Sequence, residues 1–80
     1  MEQYGTPQQG GPIRRLTYHI IPAQEGGWQV EQEGALRPYS VHNSQSEAID
    51  EGKRLAENHR PSSLVTYYED YSAHQRNTYD

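Results

Sequence analysis

The chain has no cysteine, no phenylalanine and a single methionine at its first position. Without cysteine there is neither a disulfide nor a thiolate metal site, and a reducing cytoplasm is the compartment such a composition fits. Aliphatic side chains are scarce as well: Leu, Ile and Val number eleven in eighty residues. That supply supports one small core. A core of this size rarely contributes more than about 3–5 kcal/mol without a disulfide, a metal or a partner subunit. No apolar run approaches the roughly 18 residues of a membrane-crossing helix, and the start of the chain lacks the basic-then-apolar order of a secretory signal. Basic residues are few and scattered, seven against eleven acidic, for a net charge of −4. Binding driven by nucleic-acid phosphates needs clustered Lys and Arg, so this balance disfavours it.

Seven Tyr and one Trp make up part of the aliphatic shortfall, because a ring buries more area than an aliphatic side chain. The small net charge also leaves little self-repulsion. A folded but marginal domain is therefore expected in preference to a disordered chain. The length allows one domain at most. Residues 1–14, rich in Gln, Gly and Pro and without a hydrophobic period, read as a flexible tail, and residues 15–80 as a single small domain.

Within the domain the pattern alternates between strand and helix signals. Leu16, Tyr18 and Ile20 share one face of a first strand, with Thr17, His19 and Ile21 opposite, and Pro22 stops it. Glu25-Gly26-Gly27 then supplies a hairpin loop. Trp28, Val30 and Gln32 alternate with Gln29, Glu31 and Glu33 in a second strand that Gly34 breaks, and residues 39–42 form a short third. Ser44-Gln45-Ser46-Glu47 matches a helix capping box. Ala48, Ile49, Gly52, Leu55, Ala56 and His59 follow at helical spacing, with Gly52 on the apolar stripe where the helix approaches the sheet closely, beneath Trp28. Asp50–Arg54 and Lys53–Glu57 are expected as i,i+4 ion pairs. Pro61 ends the helix near Asn58 or His59. Residues 63–68 read as a fourth strand, 69–72 as a turn and 73–78 as a fifth strand. The expected fold is α+β, an antiparallel sheet of three to five strands with one helix on one face, in the order β-β-β-α-β-(β).

Tyr18-His19-Ile20-Ile21-Pro22, Gly27-Trp28-Gln29-Val30, Ser46-Glu47-Ala48-Ile49 and Leu64-Val65, taken as a set, resemble a family of small uncharacterised bacterial proteins, the domain of unknown function number 2188. The resemblance runs over about residues 17–79 and implies the fold without implying an activity. The family pattern has a His after the first-strand Pro, a His after the Leu-Val strand and an Asp-Gly turn before the last strand. Here Ala23, Tyr67 and Asp70-Tyr71 stand at those places, so no role resting on those residues carries over. The element order is also similar to small β-β-β-α units that dimerise or occur in tandem, and to the antitoxin partners of RNA-cleaving toxins.

Catalytic and ligand chemistry finds little to stand on. His19, His42, His59 and His74 fall on different elements, with no His-x-x-x-His pair, so no metal site is expected. Ser44, Ser46, Ser62 and Ser63 sit at a cap or a loop, where hydroxyls serve the backbone, and there is no Gly-x-Ser-x-Gly elbow. Gly10-Gly11 and Gly26-Gly27 lack the Lys-Ser/Thr of a phosphate loop. The expectation is no enzyme and no cofactor. Tyrosine is the signal that exceeds the needs of one thin core. Trp28, Tyr39, Tyr67, Tyr68 and Tyr71 are the candidate interaction residues, since a ring with a wet hydroxyl suits an interface. A cytoplasmic protein-interaction module that forms a homodimer or binds a protein partner through an aromatic sheet face is the preferred reading. Stacking of single-stranded nucleic acid on the same rings is the alternative, with no membrane role.

Overall fold

The computed structural model describes residues 14–80. The tail reading therefore lies outside the described residues except at Arg14, which precedes the first strand. Six elements follow: β1 (Leu16–Pro22), β2 (Trp28–Gln32), β3 (Ser40–His42), α1 (Gln45–Asn58), β4 (Ser62–Tyr67) and β5 (Ala73–Tyr79). They form one helix and one five-stranded sheet, in the spatial order β3-β2-β1-β4-β5.

The α+β class and element order match the sequence reading, and the fifth strand is fully formed. The sheet, however, is mixed, because β1 and β4 run parallel while the other three pairs are antiparallel. Chain direction explains this. Two hairpin reversals leave β3 pointing the same way as β1, and α1 carries the chain back across the sheet. β4 then sets out again from the same end as β1 and joins its free edge.

Local chemistry places the ends of these elements. At the β1–β2 turn Gly26 and Gly27 have φ of 104° and 82°, and the Ala23 N–H donates to the Gly27 carbonyl at 2.9 Å. A side chain at Gly27 would also collide with the backbone carbonyl of His42 on β3. The Ser44 hydroxyl accepts from the Glu47 N–H, which fixes the first turn of α1. At the other end the His59 ring bonds the Leu55 carbonyl at 2.8 Å, and the Ser62 hydroxyl donates to the Ala56 carbonyl. The last turn of the helix is thereby tied to the start of β4.

The core lies between α1 and one sheet face. Tyr18, Ile20, Val30 and Leu64 from the strands meet Ala48, Leu55 and Ala56 from the helix, with Leu16, Trp28, Ile49 and Tyr79 around them. Fully burying a side chain such as Ile20 or Leu64 contributes about 1.5–3 kcal/mol. Gly52 is buried against Ile20 and Leu64, not beneath Trp28. Gly52 stands over β1 and β4, whereas Trp28 lies on β2 at the margin of the core. Among the described residues the ion pair on the helix is Arg54 with Glu51, at i,i+3, in place of the expected Asp50–Arg54 and Lys53–Glu57 pairings. That bond holds the Glu51 carboxyl below its ordinary range.

Candidate functional site

The registers define the face that α1 does not cover. Tyr18, Ile20, Val30 and Leu64 point to the helix, so their alternates point away: Thr17, His19 and Ile21 on β1, Gln29 and Glu31 on β2, Val41 on β3, Ser63, Val65 and Tyr67 on β4, and Arg76 and Thr78 on β5. The sequence reading left this face wholly open. Its centre is in fact closed, because Ser63 and Val65 are buried there, and the Ser63 hydroxyl has no hydrogen-bond partner among the described residues. Val41, by contrast, is 57% exposed on the edge strand β3.

Three side chains form a bonded row on this face. His19 Nδ1 lies 2.9 Å from the Tyr67 hydroxyl, and its Nε2 lies 2.9 Å from Glu33 Oε1. In a neutral imidazole the Nε2–H donates to the carboxylate and Nδ1 accepts from the phenol. The rings tilt against each other at 5.6 Å between centroids. Tyr67 is thus half-buried and fixed in place. The sequence reading chose Tyr67 but missed its link to His19, which depends on β1 and β4 being neighbours.

Tyr71 reaches the same face from the β4–β5 turn. It has φ of 70°, a left-handed conformation that favours glycine. Asp70 Oδ1 accepts from both the Ser72 N–H at 3.0 Å and the Ser72 hydroxyl at 2.6 Å. These bonds hold the Asp70 carboxyl below its ordinary range. The Tyr71 hydroxyl donates to the Pro22 carbonyl at 3.2 Å. Its ring, Ile21, Gln29, Glu31 and Pro38 border a shallow depression of about 470 Å³. Gln29 Nε2 donates to Glu31 Oε2 there at 3.1 Å.

The other candidate rings do not join this surface. Trp28 is half-buried against the core on the helix side. Tyr39 lies beside Arg54 and Tyr18, also on the helix side. Tyr68 stacks on His74 at 4.4 Å. Of the five residues chosen from sequence, the structure brings Tyr67 and Tyr71 to the helix-free face and leaves Trp28, Tyr39 and Tyr68 elsewhere. Alternation along a strand tells which residues share a face but not which strands adjoin, and that is where the grouping diverges.

The histidines are likewise dispersed. His42 bonds Ser40, His59 bonds a helix carbonyl, His74 stacks on Tyr68 and His19 joins Tyr67 and Glu33. Among the described residues no group of three or more His, Asp or Glu is placed to hold a metal, and no helix is long and apolar enough to cross a membrane.

These features define a class: a small α+β domain with one helix over a five-stranded mixed sheet, and a second face that no helix covers among the described residues. The family model of uncharacterised proteins conserved in bacteria, domain of unknown function 2188, matches residues 18–79, and the chain belongs to that family. No curated protein and no solved structure matches it.

Proposed function

We propose that the domain is a non-enzymatic protein-interaction module of the cytoplasm, which self-associates or binds a protein partner through the helix-free sheet face. One observation carries this reading. Val41, Ile21, Tyr67 and Tyr71 place apolar and aromatic surface on a face with no second layer among the described residues. Apolar and aromatic side chains grouped on one face and rimmed by polar ones are what an interface uses. Sedimentation velocity across micromolar concentrations tests the reading directly, with a dimer as the expected species. Ile21→Lys, on the face away from the core, is expected to raise the dissociation constant about tenfold. A species that stays monomeric throughout would remove the support for self-association.

Single-stranded nucleic acid is the alternative occupant, favoured by the Tyr67 and Tyr71 rings. Two features weigh against it: the Tyr67 hydroxyl is already engaged by His19, and Glu31 and Glu33 would repel phosphate.

A further inference from the structure

The registers align four residues on one rung of the helix-free face. Glu31 pairs with His19, His19 with Val65 and Val65 with Arg76, so the rung runs Glu31, His19, Val65, Arg76 across β2, β1, β4 and β5. The acid and the base stand at its two ends, each one strand outside the central β1–β4 pair. We propose that a second copy of this chain docks on this face about a twofold axis parallel to the strands and midway between β1 and β4. The inference rests on the reading of this face as a protein interface and names its occupant and orientation.

Charge complementarity selects that axis. Rotation about it lays β5 of one copy over β2 of the other and β4 over β1. Arg76 of each copy then faces Glu31 of its partner, giving two equivalent ion pairs. The next rung, Gln29, Ile21 and Tyr67 followed by Ala73, sets Ile21 against Tyr67 across the interface. On the other side Thr17 and Thr78 flank the axis, with Ser63 buried between them and out of the partner's reach. A twofold axis running across the strands instead lays β2 over β2 and β5 over β5, which brings Glu31 towards Glu31 and Arg76 towards Arg76. Like charges facing each other are unfavourable, which disfavours that arrangement. Stacked sheets lie about 10 Å apart, a gap that long side chains such as Glu and Arg close from both sides. A face of this width and strand length buries about 800 Å² in total, the size of a transient contact, so association belongs in the micromolar range or weaker.

Reciprocal charge reversal tests the proposal. Glu31→Arg and Arg76→Glu, each measured alone by sedimentation from ten to several hundred micromolar, are expected to lose the dimer. An equimolar mixture of the two is expected to regain it, since each variant then meets an opposite charge at both positions. Far-ultraviolet circular dichroism confirms that each remains folded. A wild-type dimer indifferent to both reversals, or a mixture that fails to associate, would overturn this arrangement while leaving self-association standing. A wild-type chain that is monomeric over the whole range would remove both.

Discussion

Tyr71 is a costly choice of residue for its backbone. A left-handed conformation disfavours any side chain with a Cβ by about 1–2 kcal/mol relative to glycine. Two interactions hold it there: the Asp70 carboxylate organises the following Ser72, and the Tyr71 hydroxyl reaches the Pro22 carbonyl. The latter bond is exposed and contributes about 0.5 kcal/mol at most. Tyr71→Gly relieves the backbone and loses that bond, while making the unfolded chain more disordered by about 0.4–1 kcal/mol. The balance is a small net gain or no change in stability, read from the urea midpoint. A loss above about 1 kcal/mol would show that the ring itself secures the turn. If stability holds, the aromatic side chain is retained for the surface it lines and not for the fold. That interpretation agrees with its place beside Ile21 and Glu31.

At the scale of elements, α1 and its contact with the sheet were the most legible part of the sequence. The cap at Ser44, the apolar stripe and the break at Pro61 all act locally, and local chemistry is what a sequence displays. Gly52 shows the value and the limit of that legibility. Its place on the buried stripe signalled close approach, but the partners, Ile20 and Leu64, sit on strands 32 and 12 positions away, and only the sheet order identifies them. Gly52→Ala brings two opposed effects. Helix propensity gains about 1 kcal/mol. Against this, a Cβ would stand 2.8 Å from the Cδ1 atoms of both Ile20 and Leu64, which are fully buried and have little room to withdraw. Overpacking costs about 1–3 kcal/mol, so a net loss of roughly 1 kcal/mol is expected in thermal or urea unfolding. A stabilised variant would mean that helix and sheet separate without penalty. The strand neighbours β1 and β4 were illegible for a related reason: nothing in either strand's alternation states which edge the returning chain will occupy. The His19–Tyr67 bond and the shared rung of Glu31 and Arg76 follow only from that adjacency.

For the molecule as a whole, one thin core leaves stability dependent on a few buried groups, and Tyr18 is the one that titrates. It is among the buried core residues, packed with Ile20, Val30 and Leu64. Burial first, and then the neighbouring Tyr39, raises its phenol above the ordinary value of 10.0. The sign follows from proton counting. Above pH 10 the unfolded chain releases the Tyr18 proton while the folded chain keeps it, so the unfolded state binds fewer protons and stability falls as pH rises. The contribution is fully present below pH 10 and is lost on passing through the raised folded value. Urea midpoints are therefore expected to be level from pH 7 to about 9.5 and to drop above 10. Tyr18→Phe keeps the ring and removes the ionisable group, so it is expected to flatten that alkaline drop. The comparison isolates Tyr18 because the other tyrosines are unchanged in both proteins. An identical drop in wild type and variant would place the alkaline sensitivity in those residues and show that the Tyr18 hydroxyl reaches water from within the core.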